Sequence, residues 1–257
     1  MNARWVRVVG VVLLLATTAL AGRASAVIVV YDLRLDFSNA NNPNGPWEYL
    51  KGNVPLTHFT PVTQPALPAA AANGYWGDTS SSNNSAIMLT TAGGSATGLW
   101  TDNDFLQDDV LVRTTDPSTG APMVITWTAP SAGSFTYSGM LWNANAPLGP
   151  FGTSYTMSLN AGPAFESGTA LVGNNRPNGV SMVNGLTPVI VLPGDVVALE
   201  FNPAAGPPTG ALAGITFTID FTPVPEPSSL ALASVGLFAV TSYGLRRRSL
   251  RKSAEKL

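Results

Sequence analysis

The sequence predicts an all-β fold, a β-sandwich of jelly-roll type, and three observations carry the prediction. Short apolar or alternating segments recur through the middle of the chain. Clusters of Gly, Pro, Asn and Asp separate them at short intervals. No stretch between residues 27 and 222 has the 3.6-residue apolar period of an amphipathic helix. Those 196 residues are enough for one domain with a full hydrophobic core.

Two ends stand apart from that body. Residues 1–26 read as a signal-peptide helix, with Arg4 and Arg7 ahead of an apolar run at 8–20 and the small-x-small pattern Ala24-Ser25-Ala26 at the cut. Residues 223–257 form the other end. There, Val224-Pro225-Glu226-Pro227 precedes an uncharged run at 230–245, closed by Arg246-Arg247-Arg248. Prolines lack a backbone donor and fix φ, so the first part is an extended linker. The apolar run is at the short end for a single transmembrane helix. Cations just beyond it place that end in the cytoplasm and the body outside the inner membrane, in agreement with the signal peptide.

Within the body, residues 31–37 alternate Tyr31, Leu33, Leu35 and Phe37 against Asp32, Arg34 and Asp36, the pattern of a half-buried strand. The run 38–46 breaks the chain into turns ahead of Trp47 and Tyr49. Residues 52–85 read as a long irregular connection with four prolines, holding an aromatic island at 74–78. Strand signals resume at 86–90, 109–113, 123–128, 135–142, 153–159, 169–172, 188–192, 195–201 and 215–221. Pro193-Gly194-Asp195 is expected to close a tight hairpin between two of these.

Charge and composition exclude some functions. Residues 27–222 carry thirteen acids and four bases, a net of −9, while the remaining bases lie in the two ends. Phosphate backbones repel such a body, so nucleic acid is not an expected partner. Cysteine is absent, so an exported chain of this kind relies on packing rather than disulfides. The single histidine, His58, rules out His-rich zinc sites and makes a Ser-His-Asp triad a poor fit; it reads as a surface-loop residue.

The order of the three parts of the tail resembles the PEP-CTERM sorting segment. The resemblance implies that Pro225, Glu226 and Pro227, with Val224 before them, are a recognition box for an exosortase-type membrane transpeptidase. It implies that Arg246, Arg247 and Arg248 mark the cytoplasmic end, and that the host makes exopolysaccharide. The stretch beyond the arginines, 249–257, is longer than is usual for such tails. In the body, Trp127-Thr128-Ala129-Pro130-Ser131-Ala132-Gly133-Ser134-Phe135 and Leu192-Pro193-Gly194-Asp195 resemble turn motifs of jelly-roll domains in PEP-CTERM cargoes, which bears on fold rather than activity.

Two sets of body residues are candidates for binding. Asp102, Asp104, Asp108 and Asp109 could supply oxygen ligands to a structural calcium ion, although the spacing is not that of an EF-hand and a solvated acidic loop has the same composition. Trp47, Tyr75, Trp76 and Trp100, with Tyr49, could stack on sugar rings, or pack loops and core as aromatics commonly do. Paired carboxylates such as Glu166 and Glu200 would suit glycoside hydrolysis, but nothing in the sequence brings them together. The expectation is therefore an exported, non-enzymatic surface or extracellular-matrix protein with no cofactor beyond that calcium, associated with exopolysaccharide or biofilm. The alternatives are a carbohydrate-binding module with a defined glycan and a carbohydrate-active enzyme.

Overall fold

A computed structural model describes residues 27–59, 74–78, 85–91, 104–114, 121–144, 152–171, 173–184, 187–205, 211–224 and 236. Ile28–Pro223 forms one compact unit; Met1–Val27 and Val224–Leu257 fall in another. The first unit is nearly all β, and every strand pairing in it is antiparallel.

One sheet contains β2 (Trp47–Lys51), β3 (Val54–Pro55), β8 (Met123–Thr128), β10 (Gly152–Leu159), β11 (Ala164–Ala170) and β14 (Val196–Ala205). Its order is β11-β10-β14-β8-β2-β3. The other sheet has nine strands. Its main path uses β12 (Val180–Val183), β9 (Gly133–Asn143), β15 (Ala211–Pro223), β7 (Val110–Thr114), β6 (Ala86–Leu89), β5 (Tyr75–Gly77) and β4 (Thr57–Phe59), in that order. Also in this sheet, β1 (Val29–Asp32) joins β15, and β13 (Val189–Val191) joins β9.

Alternation explains how the two sheets meet. Along β15, Ile215, Phe217, Ile219 and Phe221 are buried, while Thr216 and Asp220 between them are exposed. Along β8, Met123, Ile125 and Trp127 face inward, opposite Phe201, Leu199 and Val197 of β14. Trp127 also lies opposite Trp47 of β2. Its ring is 5.5 Å from Tyr31, 5.6 Å from Phe135 and 5.6 Å from Phe221, all on the facing sheet. These centroid distances are those of favourable edge and tilted aromatic pairs, so Trp127 joins the two layers.

A second apolar cluster lies on the other face of the nine-stranded sheet. Tyr75, Ala86, Met88, Leu111, Trp142 and Leu212 come from its strands, with Phe105 and Ala144 from the adjoining loops. Gly214 permits this packing. A Cβ there would sit 2.0 Å from a ring carbon of Trp142, so the indole lies flat on the backbone of β15.

Several expectations change. The first strand ends at Asp32, not at residue 37, because its carboxylate accepts the N–H groups of Arg34 and Leu35 at 2.9 and 3.1 Å and folds the chain into a turn. Leu33 is still buried, but Leu35 is exposed. The connection at 52–85 is not wholly irregular, since β3, β4 and β5 lie within it. The strand expected at 169–172 begins at Ala164 and ends at Ala170. The turn at Pro193-Gly194-Asp195 is not a hairpin: β13 pairs with β9 in one sheet while β14 pairs with β8 and β10 in the other, so the turn is a corner between layers. No helix among the described residues is long and apolar enough to cross a membrane. The signal-peptide reading at 1–26 and most of the run at 230–245 lie outside those residues.

Candidate functional site

The β6–β7 connection and the turn before β12 meet at an ionic clamp. Arg176 opens a short 3₁₀ turn, Arg176–Asn178, with Pro177 beside it. Its backbone N–H donates to Asp104 Oδ2 at 2.5 Å, and its Nε lies 3.9 Å from Asp104 Oδ1. Its guanidinium also donates to the buried carboxylate of Asp109. The guanidinium carbon stands 4.2 Å from the centre of the Trp142 ring, a cation–π contact. The Trp142 indole N–H donates to the Asp104 carbonyl at 2.7 Å. Asp109 is held further by the Leu106 N–H at 2.6 Å, and its own N–H donates to Thr90 Oγ1 at 2.9 Å.

This arrangement places three of the four expected calcium ligands. Asp104 and Asp109 share a guanidinium as their cation. Asp108 is exposed in the left-handed region at φ 64°, with its N–H donating to the Thr90 carbonyl. Asp102 lies outside the described residues. Among those residues, no group of three or more His, Cys, Asp or Glu could hold a metal ion.

A second carboxylate is engaged at the sandwich edge. Glu166 on β11 accepts the Tyr137 hydroxyl at 2.6 Å and the Tyr155 hydroxyl at 3.1 Å. Tyr137 belongs to the facing sheet, so the carboxylate ties the two layers together. Burial, reinforced by Glu166, raises both phenols above the ordinary tyrosine value, and both stay protonated donors. The register separates this group from Glu200. Glu166 lies opposite Met157 and Glu200 opposite Thr156, adjacent residues of β10 whose side chains point to opposite faces. Glu166 and Glu200 therefore cannot flank one glycosidic bond.

The expected sugar platform also moves. Trp47 and Tyr75 are 0% exposed and Trp76 is 5% exposed, so no face of these rings is open to a saccharide. The Trp47 indole donates to Asp36 Oδ2 at 3.1 Å, and the Trp76 indole to the Ser38 carbonyl at 2.7 Å. Tyr49 is also fully buried, stacked 5.0 Å from Phe37. Trp100 lies outside the described residues. His58 is not a loop residue: it sits on β4 with its ring 5.0 Å from Trp76.

The corner between layers is built by Asp195. Its carboxylate accepts the Leu192 N–H at 2.7 Å and the Asn160 side-chain amide at 2.9 Å, which hold it below the usual carboxylate value. Asn160 Oδ1 then accepts the Val196 N–H at 2.8 Å.

Sequence reasoning missed Arg176. A usable signal was the scarcity of bases: with four cations among thirteen acids in residues 27–222, an interior carboxylate has few cations to draw on, and Asp78 takes Lys51 as Asp109 takes Arg176.

The tail begins where β15 ends. Among the described residues Pro223 is the last paired one, and Val224 is exposed. Pro225, Glu226, Pro227 and Arg246 to Arg248 lie outside the described residues.

No curated protein matches the chain. Solved structures that overlap it include a ruminal family GH26 endo-β-1,4-mannanase (16% identity, 44% of this chain, 19% of that chain, TM-score 0.24). They also include the C-terminal family 6 carbohydrate-binding module of a laminarinase from Zobellia galactanivorans (12%, 52% and 87%, TM-score 0.28). A third is a family 35 carbohydrate-binding module from Clostridium thermocellum (14%, 76% and 99%, TM-score 0.27). The chain thus spans about a fifth of the ruminal enzyme. The family model for the PEP-CTERM protein-sorting motif matches residues 223–248. The segment that follows the last described strand therefore carries a PEP-CTERM protein-sorting motif, and the chain is a PEP-CTERM domain-containing protein.

Proposed function

We propose that the chain is a non-enzymatic β-sandwich of jelly-roll type, carried to the cell surface or matrix by its sorting tail and associated there with exopolysaccharide. The observation that carries this reading is the match at 223–248, which starts on the last residue of the final strand. Residues 1–26 act as the export signal. The run 230–245 parks the chain in the inner membrane as a single helix, with Arg246, Arg247 and Arg248 on the cytoplasmic side. The Pro-flanked Glu226 is then presented to the transpeptidase just outside the bilayer. A non-catalytic role is supported by where the carboxylates lie. Asp104 and Asp109 are spent on Arg176, Glu166 on two phenols, and Asp195 on a turn.

Glu226→Ala tests the reading. The variant should still enter the membrane fraction but keep its tail, seen as a persistent heavier band on a denaturing gel. Tail removal at the wild-type rate contradicts the recognition role.

A second reading, a glycan-binding module, draws support from the outer face of the six-stranded sheet. Ser154, Thr156, Glu200 and Asn202 present hydroxyl, carboxylate and amide groups there on neighbouring strands, all partly exposed. Glycan-array binding by the full chain, lost on Asn202→Ala with the unfolding midpoint unchanged, would favour it.

A further inference from the structure

The outer face of the nine-stranded sheet differs at its two ends. At one end the Trp142 and Leu212 cluster is covered by loops. At the other end, from which β15 leaves, four aliphatic side chains are open to solvent. Ile190 is 71% exposed, Leu192 64%, Ile28 60% and Val30 58%.

The register brings them together. Val30 lies opposite Asp220 of β15, which lies opposite Thr136 of β9. Ile190 lies opposite Ser134 of β9, which lies opposite Thr222 of β15. Ile28 leads into β1 and Leu192 follows β13. The four side chains thus flank a polar centre of Asp220, Thr222, Ser134 and Thr136 at one rim, across four adjacent strands, a width of about 14 Å. Leu192 is set rigidly, because its N–H is bound to Asp195.

We propose that this rim is a lipid-docking surface that rests on the zwitterionic interface of the bilayer while the tail is anchored. The inference rests on the membrane-parked reading of residues 230–245. Chain length favours lipid as the occupant. Only six residues, 224–229, separate Pro223 from the apolar run. Fully extended, six residues reach about 20 Å, little more than the headgroup layer plus one strand's breadth. The end of the sandwich that carries the aliphatic rim is therefore the end tethered against the membrane. Aliphatic groups at that depth leave water for the headgroup boundary. The exposed Asp220 lies within the patch beside Val30, and Asp195 borders it after Leu192; both would be repelled by an anionic surface, so the interface that fits is a neutral one, whose cationic choline groups can meet these carboxylates.

The absence of cysteine makes the test direct. Single cysteines replace Ile190, Leu192 or, as a control at the clamp end, the exposed Leu106 in the full chain, and each carries a polarity-sensitive dye. The proteins are reconstituted into phosphatidylcholine vesicles containing headgroup spin labels. Quenching at positions 190 and 192 should exceed that at 106 by at least about threefold. Ile190→Ser with Leu192→Ser should abolish quenching of a dye at an Ile28→Cys site while the chain still floats with the vesicles. Equal quenching at all three sites, with flotation intact, overturns the proposal. So does shielding of position 190 that rises with protein concentration in lipid-free detergent, which would mark a contact between copies. Failure to float at all refutes the anchored tail itself, and the docking proposal falls with it.

Discussion

On its inner face the nine-stranded sheet meets a ladder of aromatic and aliphatic residues from the other sheet. On its outer face, at the β7 end, it meets loops held down by Arg176. The inner contact joins residues whose alternation along each strand already sorts them to one side. The outer contact joins residues far apart in sequence, Asp104 to Arg176 across 72 positions, and relies on charge for its geometry. The difference is one of mechanism. Inner-face packing is non-directional and tolerates adjustment, whereas the outer clamp is directional and fails when one partner is lost.

The largest effect that would test this contrast comes from the inner face. Trp127→Ala should cost about 3–5 kcal/mol in urea unfolding, because a large fully buried ring is replaced by a cavity between the layers. That is a substantial part of the stability typical of a domain. On the outer face, Arg176→Met should cost about 2 kcal/mol, less than for a fully buried pair because the guanidinium is partly exposed. Most of that loss should return when Asp109→Asn is added, since the penalty is an unpaired buried carboxylate. A double variant as unstable as the sum of the singles would remove the distinction between the faces. Calcium should leave the wild-type midpoint unchanged, because the two carboxylates already have a cation.

At the edge that joins the layers, Tyr137→Phe should cost about 1 kcal/mol by removing one donor to Glu166. The smallest effect concerns pH. Asp195 has a depressed value in the fold, so its contribution is present above the ordinary carboxylate range and is lost as pH falls through the lower folded value. Thermal midpoints of wild type and Asp195→Asn should therefore differ at neutral pH and converge at strongly acidic pH. A constant gap across that window would mean the turn is held by other contacts.

How far the fold can be read from sequence follows the same division. The residues 123–128 and 215–221 alternate over several positions, and the strands lie there. The segment 57–59 lies between Pro55 and Pro61, and 75–77 has only three residues, so neither shows a period and β4 and β5 stay hidden. Asp195 illustrates a subtler limit. An Asp accepting the N–H three residues back serves a hairpin and an inter-sheet corner equally well, and only the partner strands tell them apart. The same holds for Asp32, whose local turn overrides the alternation around it. For the candidate site, the tail motif is local and legible. The clamp on Asp104 and Asp109 is not, because its cation arrives from another part of the chain.

The position of β15 has a consequence for manufacture. It is the last strand among the described residues, yet it lies in the interior of its sheet, with β9 on one side and β1 and β7 on the other. A polypeptide that stops short of it leaves three strands without their neighbour and cannot settle. The delivery signal begins on its last residue. Keystone and shipping label are thus issued together, and a truncated product has neither.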